Sequence, residues 1–191
     1  MGGIAIWCMH FIGNRAIIIG QGEPEIQIIY NSGVTAASFF VPILALIVPF
    51  CASGISEHVS KVNTVICGTL TGLAICGMHY LGQAGIANYT GIYHPPYIVG
   101  SAIVAVIACI PALGIFFVLR AGWTIRWWKR LLCAIILAGG ISGMHWLATV
   151  GTDYRIKDMG ETTTGSLSRR GTIIVVLILV SYLLKVCVTQ D

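Results

Sequence analysis

A methionine, a histidine and an aromatic residue follow one another three times in this chain, as Met9-His10-Phe11, Met78-His79-Tyr80 and Met144-His145-Trp146. Five Met and five His are present in all, so the triplet takes up three of each and is no by-product of composition. A neutral imidazole ligates Zn, Cu, Fe or Ni, and a thioether selects soft ions such as Cu(I), so Met beside His points to copper ahead of zinc or magnesium. Neighbouring residues on a helix point roughly 100° apart, so a single triplet cannot enclose an ion. Three helices in register can. His10, His79 and His145 would then supply three nitrogens, and one or more of Met9, Met78 and Met144 a weaker sulfur ligand.

The bland readings are definite as well. A lone His near a helix end is usually an amphipathic side chain with its tip in water. Three in register differ, because ionisable groups within membrane segments are costly and a functional site is the default reading. Met can serve as flexible core filler, and Phe11 and Trp146 are read as packing residues, with a hydrogen-bonding role open to Tyr80. The small residues four positions after each Met, Gly13, Gly82 and Ala148, are expected to let backbones approach near the site. His58 beside Glu57 and His94 before Pro95-Pro96 read as solvated loop residues, as do Asp153, Asp158 and Glu161 among the basic residues from Arg155 to Arg170. Asn88-Tyr89-Thr90 matches a glycosylation acceptor but sits too close to the preceding helix to count on.

The elements that must carry the triplets are membrane helices. With 57% hydrophobic residues, 9% charged residues and a mean hydropathy of +0.88 over 191 residues, the chain is too apolar for an ordinary soluble domain. The net charge of +4 is spread over the ends of apolar runs, which gives nucleic-acid binding no support. Seven Cys without paired spacing read as small packing residues, not as a disulfide framework. A bilayer core about 30 Å thick needs roughly 20 apolar residues as helix. Residues 34–54, 62–82, 97–119, 131–150 and 172–188 meet this, with kinks expected at Pro42, Pro49 and Pro111. The expected fold is an all-α polytopic bundle of about six spans, the first one partial.

The triplets recur at intervals of 69 and 66 residues, which fits two helices plus loops and returns each motif helix to one direction through the membrane. A single domain over residues 1–191 is expected, with repeats at about 3–13, 72–82 and 139–148 and no output domain. Only nine residues, about 14 Å of helix, lead to His10, against about 27 Å from Lys61 to His79 and about 22 Å from Arg130 to His145. A further stretch of helix is therefore expected upstream of Met1. If the motif ends face outward, Lys61, Arg120, Arg126, Lys129, Arg130 and Lys185 lie inside and Arg15, Arg155, Lys157, Arg169 and Arg170 outside, a near balance. The Arg120 to Arg130 loop, with Trp123, Trp127 and Trp128, tips it toward the cytoplasm for that loop.

The three triplets, their place at helix ends and their period resemble the MHYT domain, an integral-membrane sensor module of bacteria and fungi. The resemblance covers nearly the whole chain; only Tyr80 matches the family name strictly, Phe11 and Trp146 departing from it. It implies seven helices, motifs near the outer face of the cell membrane, and copper held by Met9, His10, Met78, His79, Met144 and His145 to sense a diatomic gas such as oxygen, carbon monoxide or nitric oxide. Relatives often attach cyclic-dinucleotide or kinase domains. From the residues themselves other readings stay open: two His as axial ligands of a haem in an electron carrier or haem sensor, a metal conduit, or a truncated inactive membrane fragment. An enzyme is disfavoured because no acid-base pair accompanies the His.

Overall fold

The computed structural model describes residues 2–15, 17, 28–54, 60–120, 127–157, 166–167 and 169–189. Among the described residues six helices follow one another: α1 (Gly2–Arg15), α2 (Ser32–Gly54), α3 (Lys61–Ala84), α4 (Pro95–Arg120), α5 (Trp127–Val150) and α6 (Arg169–Val188). They coincide with the apolar runs because in lipid a backbone must satisfy its own hydrogen bonds, which a helix does without partners. Segments within four of them, Ser32–Pro49, Lys61–Ala84, Pro95–Phe117 and Leu131–Val150, are long and apolar enough to cross a membrane. The chain is an integral membrane protein. Its outer surface agrees: Leu44, Val48, Leu70, Ile107, Ile135, Leu177 and Ile178 are all exposed, which water would penalise and lipid does not.

The bundle has an inner and an outer set. The motif helices α1, α3 and α5 touch one another; α2 leans on α1 and α3, α4 on α3 and α5, and α6 on α1. Glycines set the spacing between the two sets. A Cβ on Gly3 would stand 2.8 Å from the Pro42 carbonyl oxygen, one on Gly72 2.7 Å from Val106 Cα, and one on Gly140 would collide with Ala108. Such small residues let helices gain van der Waals contact where lipid offers no hydrophobic drive. Helix α2 continues through Pro42 and Pro49, and α4 through Pro111. Gly72→Val should force α3 from α4 at a cost of about 1–3 kcal/mol. Thermal unfolding in detergent should register that loss, whereas Gly77→Ala, with open space around it, should leave the transition unmoved.

Short strands cap the motif end. β1 (Tyr30–Asn31) pairs with β4 (Ser166–Leu167), and β2 (Tyr89–Tyr93) runs antiparallel to β3 (Thr152–Ile156), with Tyr89 opposite Ile156 and Tyr93 opposite Thr152. A bridge between Tyr30 and Ile86 ties β1 to the segment between α3 and β2. The stretch from Thr152 to Ile156, expected as solvated loop, is thus a strand: its Thr, Tyr and Ile suit a pleated surface, while Asp153 and Arg155 stay on the exposed side. His94 is likewise no free loop residue. It remains exposed, but its Nε2 lies 2.8 Å from Asp153 Oδ2. The Asn88 side chain is buried and accepts from the Ile29 amide at 2.9 Å, so the glycosylation sequon is not accessible. Six described cysteines are free thiols. His58, Glu57, Asp158 and Glu161 lie outside the described residues.

Candidate metal centre

Each motif helix ends five residues after its histidine: α1 at Arg15, α3 at Ala84 and α5 at Val150. The three imidazoles therefore sit at one level, about one and a half turns below the helix ends. Near a membrane surface that depth would leave a side chain wet. Here His10, His79 and His145 are buried, at 1%, 0% and 8% exposure, packed against one another between the motif helices. Three cap tyrosines reach the motif helices. Tyr30 packs on Phe11 with ring centroids 4.9 Å apart, Tyr93 on Tyr80 at 5.3 Å, and the Tyr154 hydroxyl lies beside the Gln83 carboxamide.

The three rings converge. His79 Nδ1 lies 3.2 Å from His10 Nδ1 and 3.1 Å from His145 Nδ1, and one ligand atom from each residue falls within 4.8 Å of the others. The rings stand nearly perpendicular, at 83°, 88° and 81° pairwise. Hydrogen bonds alone do not account for this. A neutral imidazole nitrogen carries either one N–H or one lone pair, so His79 Nδ1 cannot serve both neighbours at once. One cation facing three lone pairs can. Metal–imidazole bonds of about 2.0–2.1 Å would hold the nitrogens of a tetrahedral centre roughly 3.3–3.4 Å apart, close to the two separations observed. The donor set thus fits a small ion that accepts neutral nitrogen.

The small residues after each motif prove to do something other than bring backbones together. A Cβ on Gly13 would stand 2.5 Å from His145 Nε2, and one on Gly82 would collide with His10 Nε2. Each glycine makes room for the imidazole of another motif helix, because rings that aim Nδ1 at the axis must lay their far edge across a neighbour. Ala148 holds the corresponding place on α5. The methionines are less uniform. Met78 and Met144 lie in the core, while Met9 is half-buried and packs against its edge. Of the aromatics, Phe11 is buried against Trp7, Trp146 is exposed as a lipid-facing residue would be, and the Tyr80 hydroxyl lies 3.2 Å from Ser101 Oγ.

A second polar layer escaped the reading of the sequence. Asn14, Gln83 and Thr149 each stand four residues after a motif histidine, one turn nearer the cap. Asn14 Nδ2 lies 3.2 Å from His10 Nε2, and Gln83 Nε2 donates to Asn14 Oδ1 at 3.3 Å. Asn14 is fully buried and Gln83 nearly so. His79 Nε2, Gln83 Oε1, Thr149 Oγ1 and Tyr154 Oη are buried without a hydrogen-bond partner. Extending the repeat comparison one turn past the triplet would have found these three positions, since a polar residue recurs there in otherwise apolar helices.

The cap tyrosine at this layer has a measurable signature. Burial pushes the Tyr154 phenol up to about 12, opposed by the Gln83 carboxamide beside it. Folded and unfolded chains both keep this phenol protonated below about pH 10; from there to about 12 the unfolded chain ionises first. Stability should therefore fall across that interval, and Tyr154→Phe should flatten the fall in unfolding measured against pH.

With the geometry in view, the relatives are informative. The MHYT family, described as a bacterial signalling protein N-terminal repeat, matches residues 3–63 and 72–127, covering two of the repeats. The signalling protein YkoW of Bacillus subtilis is 28% identical over 167 residues, 82% of this chain and 19% of that protein. From Pseudomonas aeruginosa, the bifunctional diguanylate cyclase/cyclic di-GMP phosphodiesterase MucR is 29% identical over 154 residues, 80% of this chain and 22% of MucR. The cyclic di-GMP phosphodiesterase NbdA of the same organism is 26% identical over 145 residues, 75% of this chain and 18% of NbdA. The chain thus spans about a fifth of the length of these curated relatives. No solved structure matches it. Repeated apolar helices, triplets in register and a family match over more than half of the chain lead to one conclusion: this protein belongs to the MHYT family of membrane signalling repeats.

Proposed function

We propose that this chain is a copper-binding sensor module of the cell membrane, with the histidine trio as its input site near the outer face. The observation that carries the reading is the convergence of three buried Nδ1 atoms, with His79 Nδ1 facing His145 Nδ1 at 3.1 Å and His10 Nδ1 at 3.2 Å, two neighbours where one neutral ring nitrogen serves one. His10, His79 and His145 hold the ion, and one or more of Met9, Met78 and Met144 completes the set; neutral nitrogen with thioether sulfur favours Cu(I). Copper in that state supplies an open coordination position for a diatomic gas, oxygen, carbon monoxide or nitric oxide. The protein's own part is to keep the imidazoles neutral, fix their directions and exclude water beneath the cap.

A haem is the weaker reading. Two imidazoles across an iron would face one another about 4 Å apart, twice a metal–nitrogen bond of about 2 Å, with a macrocycle between them. The trio's closer spacing counts against that slot. Output by a linked cyclic-dinucleotide enzyme, as the names of MucR and NbdA suggest, is part of the same proposal. Elemental analysis and a visible spectrum of the detergent-purified chain test the cofactor. Near-stoichiometric copper without a haem band is expected; a haem band, or neither group, would overturn it.

A further inference from the structure

Building on the copper reading, we propose that Asn14 and Gln83 are positioning residues that fix the tautomer of His10 and carry the state of the trio to Tyr154 on β3. The argument is one of hydrogen-bond direction. As the side chains stand, Gln83 Nε2 donates to Asn14 Oδ1, so Asn14 turns its Nδ2 toward His10 Nε2 at 3.2 Å. An amide nitrogen only donates, so His10 Nε2 is the acceptor there and the ring's proton sits on Nδ1, facing His79 Nδ1. With its proton there, Nδ1 has no lone pair to offer an ion.

A ligating His10 needs the opposite arrangement. Its Nδ1 lone pair must face the centre, which moves the proton to Nε2 and calls for an acceptor at Asn14. A half-turn of the Asn14 carboxamide exchanges oxygen and nitrogen and provides Oδ1. Asn14 Nδ2 then points at Gln83, whose half-turn presents Oε1, an atom that is buried and unpartnered as it stands. Gln83 Nε2 is thereby released from Asn14, and the Tyr154 hydroxyl beside this carboxamide is itself buried and unpartnered as it stands. Both links reverse together, because each carboxamide has one donor end and one acceptor end. Tyr154 belongs to the strand pair that covers the site, so the reversal reaches the cap without a helix having to move.

Three measurements on the full chain in detergent test this, using Cu(I) alone as the probe. Nitrogen NMR of labelled histidine reports which ring nitrogen of His10 bears the proton. The metal-free chain should show it on Nδ1, and metal-free Asn14→Asp, whose carboxylate only accepts, should show it on Nε2. A packing role would not produce that change. Asn14→Leu should weaken Cu(I) binding about 10- to 100-fold, the range usual for outer-sphere partners of ligating histidines, and Asn14→Asp should restore it. Gln83→Leu should also weaken binding, which keeps the test open if Asn14→Leu does not fold. Wild-type affinity in both Leu variants, or an Nδ1 proton in metal-free Asn14→Asp, would overturn the relay while leaving the copper site standing. Failure of the unmodified chain to bind Cu(I) would overturn the proposed function and the relay with it.

Discussion

Replacing His79 and His145 together by Ala should abolish copper binding while the protein still inserts in the membrane. Both residues lie on the core side of the bundle, and His79 Nδ1 is the atom that approaches both of its counterparts, at 3.2 and 3.1 Å. Removing two of the three clustered nitrogens leaves His10 as the one nitrogen donor beside the weaker thioethers, so the three-nitrogen cluster is gone. Insertion should persist because the lipid-facing surface of α3 and α5 is unchanged: Leu70, Leu73, Leu132 and Ile135 remain exposed to the bilayer. Membrane fractionation with metal analysis of the purified variant gives the answer. Copper bound at the wild-type ratio by the double variant would falsify the assignment of the trio.

The second large effect comes from two methyl groups placed against the rings. Gly13→Ala puts a Cβ 2.5 Å from His145 Nε2, and Gly82→Ala one in collision with His10 Nε2. Each ring must swing away, and Nδ1 swings with it because the imidazole is rigid. Overpacking of this kind costs about 1–3 kcal/mol, which at 1.4 kcal/mol per tenfold is about 5- to 150-fold in affinity if the strain is relieved only when the site is misaligned. Gly77→Ala on α3 and Gly139→Ala on α5, with nothing near the added carbon, are the controls and should bind Cu(I) like wild type. Competition with a calibrated Cu(I) chelator separates the two pairs. Equal affinity in all four variants would mean that ring placement is not set by these glycines.

Between the two predictions lies a division of labour. In the proposed site the histidines offer the donors, and the glycines decide where those donors point. Preorganisation of this sort is what lets a buried site hold its rings at one spacing.

Much of this was legible in the order of residues. The five apolar runs predicted α2 to α6 to within a few residues, and the expected partial span is α1, because a lipid-embedded backbone has few alternatives to a helix and composition alone marks where one runs. The triplet repeat placed His10, His79 and His145 on parallel helices at one depth, since a regular interval fixes direction and level together. What local pattern could not convey was everything that depends on which faces meet. The convergence of three Nδ1 atoms, the seating of His145 over Gly13 and of His10 over Gly82, and the link from Asn14 to Gln83 across 69 residues arise only when α1, α3 and α5 touch. The strand cap is the clearest case: Tyr89 to Tyr93 and Thr152 to Ile156 are too short and too mixed to declare themselves as strands, and each becomes one by pairing with the other. By itself the sequence determined the helices, their register and the kind of donor, because those follow from hydropathy, period and side-chain chemistry. The tertiary structure alone decided that the donors are buried and aimed at one point, because burial and aim are properties of packed surfaces.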